Sequence, residues 1–265
     1  MEEYTLLCED SMDGILTGIY EAYQLKKNEE VESHDRIHLY TGKLVQPSFC
    51  MHYIQVKSDL EKSRKVIRTL IDRFGEENYY MLCLAMVSDS EKKADAVYHT
   101  VVYSLQGKSP DLFAKLQDDY ILHAFTCQRK ANNELMHLRG FLRFQELEKG
   151  ILYAKIGPKS QILPFLMEHF ADRFPSENFM IYDESHRIFG LHPKQKKWYL
   201  LQDDSFQERN LIFSKEEDKY AEMFCHFCDS VSIKDRQNEK LQMNMLPLRF
   251  RGYMTEFQTE NSAQE

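Results

Sequence analysis

An α+β fold is the class this sequence predicts: a helical N-terminal half packed on a C-terminal ββαβββα half with an antiparallel sheet. Three observations predict it. Apolar residues recur at helical spacing through most of the first 140 residues. After Arg139 the period switches to two, as in a half-buried strand. No flexible linker separates the two parts, so they are expected to share an interface. The expected division is 1–140, mainly helical, and 141–265, α+β with a docking C-terminal tail.

In order, EYTLLCE reads as a short strand and DSMDGILTGIYEAYQL as the first helix, with Ile15, Ile19 and Ala22 as its apolar stripe. Gly14 and Gly18 lie four apart on one side of that helix, where no side chain holds a neighbouring backbone away. Aromatic and β-branched residues mark Phe49 to Val56 as a strand. Ser58-Asp59-Leu60-Glu61 has the form of a capping box, so a helix is expected to start there and to stop at Gly75. Helical patterns follow at about Glu77 to Val87, Lys92 to Leu105 and Asp119 to Arg139, with Ser109-Pro110 opening a short helix between the last two.

Beyond Arg139, FLRFQEL and ILYAKIG alternate around Glu148-Lys149-Gly150, a hairpin signature. QILPFLMEHFADRF is a helix ended by Pro175. NFMIYDE, RIFGLHP and KKWYLLQ are three strands, and Ser214-Lys215-Glu216-Glu217 is a second capping box that opens a helix to about Val231. DRQNEKLQMN reads as a mobile connector, LPLRFRGYMTEF as a segment that docks back, and QTENSAQE as a frayed end.

Charge and cysteine usage narrow the function classes. The chain carries a net charge of −8, which argues against a nucleic-acid binder. Between Thr126 and Trp198, however, twelve Lys and Arg face eight Asp and Glu, a local balance of +4. Met1-Glu2-Glu3 is acidic where a secretory leader is basic, and no stretch reaches membrane-span length, so a soluble cytoplasmic protein is expected. Six cysteines at unrelated spacings then read as reduced thiols. Cys225-His226-Phe227-Cys228 has the spacing of half a zinc site, but no second such pair exists, and the two thiols continue an apolar helical face. No metal and no cofactor are expected.

The sequence motifs of P-loop, dinucleotide-binding, serine-elbow and zinc-deaminase enzymes are missing, as is the three-cysteine spacing of radical-SAM clusters. A catalytic role would have to rest on an unadvertised site. The candidates are His137, Asp183 and His186, the last two paired at a loop tip. A stronger pattern is basic. Arg139, Arg143, Arg173 and Arg187 recur beside aromatics or glycines, and with Lys155, Arg249 and Arg251 they are candidate phosphate contacts, while Tyr153, Tyr182 and Trp198 are candidate stacking surfaces. The same spacing also suits a solvated sheet face, whose cations pair with neighbouring carboxylates.

Several segments resemble, in order, a bacterial family of uncharacterised DNA-metabolism and DNA-repair proteins, a domain of unknown function. DSMDGILTGIYEAY resembles its opening helix, with Ile15, Leu16, Ile19, Tyr20, Glu21 and Tyr23 in place. HLRGFLRFQEL is similar to its His-x-x-x-Gly-Phe-x-Arg-Phe segment through His137, Gly140, Phe141, Arg143 and Phe144. LYAKIGP, ILPFLMEHFADRFP, FMIYDESHRIFG and LPLRFRGYMTEF follow in the family's order. The sequence departs at Ser176 to Phe179, where the family often has tryptophan.

This resemblance implies a radical-SAM protein encoded nearby as partner and DNA as the target. Some members of the family carry a fused uracil-DNA-glycosylase-type domain, which this sequence lacks, so no glycosylase activity is expected. The expected function is therefore a DNA repair or modification accessory protein that binds DNA, the radical-SAM partner, or both. The alternatives are a DNA-processing hydrolase with a His/Asp site and a pure protein-interaction module.

Overall fold

The computed structural model describes residues 3–28, 31–42, 51–107, 111–233 and 238–257. Its fold is α+β, and the chain divides into two compact units, Met1–Asn133 and Glu134–Glu265.

In the first unit β1 (Glu3–Leu7) leads into α1 (Met12–Lys27), which returns the chain to β2 (Ile37–Tyr40). A helix is the usual way to bring the next strand back in parallel, and β1 pairs in parallel with β2. β3 (Met51–Gln55) adds in parallel on the other side, giving the order β2-β1-β3. The three-stranded sheet and β2 itself extend the helical reading of this half. IHLY is too short for its alternation to stand out, although Ile37 and Leu39 are buried.

Ser11 caps α1 by accepting the Gly14 amide at 3.0 Å, and Ile15, Ile19 and Ala22 are buried as the stripe requires. Both glycines have a packing reason. A Cβ on Gly14 would strike the Glu9 carbonyl, and one on Gly18 would strike Cys8 Sγ and Leu39.

α2 (Leu60–Met86) begins at the expected place but with a different cap. Asp59 accepts the Glu61 and Lys62 amides at 2.9 and 3.1 Å, whereas the Ser58 hydroxyl donates to Glu9. Gly75 sits at φ 81°, outside helical geometry, and breaks α2 where glycine alone is at ease. α3 (Lys93–Gly107) and α4 (Asp119–Phe141) follow; the boundary between the units falls inside α4. Ser109-Pro110 lies outside the described residues, and 112–117 turn without forming a helix.

The second unit follows the expected element order: β4 (Gln145–Leu147), β5 (Ile151–Ile156), α5 (Leu163–Arg173), β6 (Phe179–Asp183), β7 (Ile188–His192), β8 (Tyr199–Gln202) and α6 (Glu217–Val231). The five strands lie in sequence order, and three of the four pairings are antiparallel. The pair β5–β6 is parallel, so the sheet is mixed rather than wholly antiparallel. The cause is α5, whose crossover brings the chain back in the same direction. Lys149 and Gly150, both at positive φ (72° and 71°), close the β4–β5 hairpin.

The second capping box is not formed. The Ser214 hydroxyl donates to the Glu146 carboxylate, and Glu217 accepts the Glu146 amide, so both residues tie α6 to β4 instead. Part of the expected connector is helical: α7 (Glu239–Met245) is capped by Asn238. Then α8 (Leu248–Arg251) buries Phe250, and Met254 follows it into the interior, which is the docking expected of LPLRFRGYMTEF. QTENSAQE, Cys50 and the start of the Phe49 strand lie outside the described residues. No helix among the described residues is long and apolar enough to cross a membrane.

Candidate functional site

The basic residues of the second unit divide by their partners. Arg143 precedes β4 and is fully engaged: Nη2 and Nε donate to the two carboxylate oxygens of Glu256 at 2.7 and 3.2 Å, and Nη1 donates to the Gly140 carbonyl at 2.9 Å. Its guanidinium also lies over the Phe224 ring, 5.4 Å from the centroid. Lys155 on β5 is held by Glu208 at 2.8 Å and Glu184 at 3.0 Å. Burial alone would lower the Lys155 pKa, but these two carboxylates raise it. Arg249 donates to buried Glu134 at 3.0 Å and rests on Phe250. The pairing foreseen for a solvated face is thus present at three positions, and the partner of Arg143 comes from far along the sequence.

Arg139, Arg173, Arg187 and Arg251 differ. Among the described residues none of them has a carboxylate within ion-pair distance. Arg139 ends α4, and its Nη1 reaches only the Met136 sulfur at 3.8 Å, while its buried Nε has no hydrogen-bond partner. Arg173, exposed, ends α5 and lies over the Phe174 ring. Both charges bear on His169 of α5, opposed by Asp172. The His169 pKa is lowered first by burial and then by Arg139 and Arg173. Arg187, exposed, holds the left-handed position of the β6–β7 turn at φ 56°. Arg251 stacks over Phe257, with Nε and Nη2 buried and without hydrogen bonds.

Of the proposed stacking aromatics, Tyr153 is core, with its hydroxyl donating to Glu208. Tyr182 packs between Phe189 and Phe206. Trp198 is half-buried ahead of β8.

Two of the His/Asp candidates pair with each other, and a nearby acid that the sequence reading missed bears on both histidines. Glu134, buried on α4, accepts the Lys159 and Ser160 amides at 2.9 Å each, as well as Arg249. Asp183 ends β6, is 1% exposed, and accepts His186 Nδ1 at 2.7 Å together with the Ser185 and His186 amides. The His186 pKa is raised, first by the Asp183 hydrogen bond, with Glu134 and the Lys159 backbone adding to it. The Asp183 hydrogen bond holds the ring in the 183–187 turn and favours its protonated form, against the effect of burial. His137 packs instead on Phe141 and Phe250, ring centroids 5.6 and 5.5 Å away, and its pKa is lowered by burial and by Arg249. Glu134 lies within alternating helical sequence as an ordinary solvent-face glutamate would, and only the fold shows what it holds.

Two further side-chain groups are chemically notable. Cys225 and Cys228 on α6 are half-buried, and Cys225 Sγ lies 3.8 Å from the Thr255 carbonyl. Among the described residues no third ligand joins them. In the first unit, His38 of β2 and Asp95 and His99 of α3 bring three ligand atoms within 4.8 Å of one another. Burial would raise the Asp95 carboxyl, but His38 and His99 hold it down at about 2.

No curated protein matches the chain. Among solved structures, a pGpG-specific phosphodiesterase, PggH from Vibrio cholerae, aligns over 88% of this chain and all of its own at 7% identity. Its TM-score of 0.25 is too low to assign a shared fold. Residues 91–256, more than half of the sequence and including the seven basic candidates with His137, Asp183 and His186, match the family described as a domain of unknown function, DUF4130. This chain belongs to that family.

Proposed function

We propose that this protein is an accessory factor of DNA repair or modification that holds the phosphate backbone of DNA and docks a radical-SAM partner. One observation carries the DNA part. Arg139 and Arg173 have no carboxylate within ion-pair distance among the described residues and both bear electrostatically on His169, opposed by Asp172, whereas Arg143, Lys155 and Arg249 are each paired. Cations near two helix ends that no carboxylate neutralises are suited to pairing with the phosphates of a nucleic acid. Arg187 and Arg251 would supply further contacts. The test is titration of a labelled duplex and a labelled single strand with wild type, Arg139→Ala/Arg173→Ala and Arg143→Ala across a range of salt. The reading requires the double variant, and not Arg143→Ala, to lose affinity.

A separate observation favours the docking part. On α6, Tyr220, Met223, Phe227 and Val231 form a helical stripe that is 56–59% exposed, and no residue of α6 is buried. Beside it in the sequence, edge strand β8 exposes Tyr199, Leu200 and Leu201. The apolar face read in YAEMFCHFCDSV is therefore real but outward, as on a surface that meets another protein. The hydrolase alternative is less favoured, because His186 Nδ1 is committed to Asp183 and His137 packs on aromatics.

A further inference from the structure

We propose that His38, Asp95 and His99 form a binding site for a first-row divalent cation of the zinc type, independent of the DNA-binding reading. Two imidazoles and one carboxylate are a donor set that such ions favour. Asp95 and His99 stand one helical turn apart on α3, so both side chains leave the same face, and β2 brings His38 opposite them.

The spacing fits an ion. His38 Nδ1 lies 3.2 Å from Asp95 Oδ2, and His99 Nε2 lies 3.4 Å from Asp95 Oδ1. The two histidines face different oxygens of the carboxylate, and one ligand atom of each residue lies within 4.8 Å of the others. A small turn of Asp95, or use of both its oxygens, would bring the donors to the separation of about 3.3 Å found around tetrahedral zinc. The competing arrangement is a hydrogen-bonded His–Asp–His chain, and one atom argues against it. His99 is 6% exposed, yet its Nε2 forms no aligned hydrogen bond despite facing the carboxylate. A buried ring nitrogen beside a carboxylate but poorly aligned with it has room for another partner, and a cation would serve both groups.

The surroundings hold the three ligands in position. The Leu39 amide donates to Asp95 Oδ1 at 3.2 Å and fixes the carboxylate plane. The His99 ring is stacked on Tyr120 at 4.1 Å and crossed by Tyr98 at 4.9 Å, which sets its rotation. Three protein ligands leave a fourth position, and a space of about 480 Å³ opens beside Asp95, lined also by Lys92, Asp119, Tyr120 and His123. A water or a small anionic ligand could complete the ion's shell from that side, with Lys92 to balance its charge.

The test uses the whole chain, stripped with a chelator and then titrated with Zn²⁺ by calorimetry and with Co²⁺ by visible absorption. The expected result is one ion per chain and a cobalt spectrum of nitrogen and oxygen ligation without sulfur-to-cobalt charge transfer. His38→Gln and His99→Gln should each weaken Zn²⁺ binding by about 100-fold or more, while Cys225→Ser changes nothing. The absence of saturable binding by wild type would overturn the proposal. So would sulfur-to-cobalt bands, or Zn²⁺ affinity unchanged in both histidine variants. If a variant does not fold, the cobalt spectrum of the wild type still decides.

Discussion

Arg143 and Glu256 are 113 residues apart in sequence and joined by a two-pronged ion pair, with nitrogen–oxygen distances of 2.7 and 3.2 Å. The side chains are 24% and 14% exposed, so the pair is partly shielded from solvent and stitches the closing segment of the second unit to the residues before β4. Arg143→Ala should lower stability by about 1–3 kcal/mol, mostly because Glu256 loses its partner. Glu256→Ala should cost a similar amount, and the double variant little more than either alone. Additive losses in urea unfolding would show that the two residues act separately.

Glu134 should be among the most sensitive positions in the second unit. Glu134→Ala leaves the Lys159 and Ser160 amides without their acceptor, and Ser160 is 2% exposed. The expected loss is about 2–4 kcal/mol, with Glu134→Gln milder because one acceptor oxygen remains. A shift in urea midpoint below half a kcal/mol for the alanine variant would contradict this role.

His186 gives the second unit a pH dependence of defined sign. Its pKa in the folded chain is raised above the ordinary value of 6.5, chiefly by Asp183. The stability it contributes is therefore fully present below pH 6.5 and is lost as pH rises through the higher folded pKa. The difference in melting temperature between wild type and His186→Gln should be largest in mild acid and shrink above neutrality. A difference that grows with pH would contradict a raised His186 pKa.

The element order of the second unit was legible because each element carries its own period and its own turn residues. Lys149-Gly150 and Pro175 mark breaks that the backbone makes. Gly14 and Gly18 likewise announced close packing on α1. What escaped was long-range. The parallel pairing of β5 with β6 follows from where α5 returns the chain, which no local pattern states. Both expected capping boxes gave their hydroxyls to distant partners, Ser58 to Glu9 and Ser214 to Glu146. The basic block was legible as a list of cations. Which of them are neutralised depends on Glu256, Glu208, Glu184 and Glu134, all brought in by the fold. His38, Asp95 and His99 escaped for the same reason. Asp95 and His99 show helical spacing, but their third member lies 57 residues before Asp95.

The most direct measurement of the central claim is the salt dependence of DNA affinity for wild type against Arg139→Ala/Arg173→Ala. If these two arginines hold phosphates, log affinity should fall linearly with log salt in wild type, and the slope should flatten by about two units in the double variant. The loss should be similar on unrelated sequences, and Arg143→Ala should keep the wild-type slope. A double variant whose slope equals that of wild type, or a wild type with no salt-sensitive binding to duplex or single strand, would contradict the account.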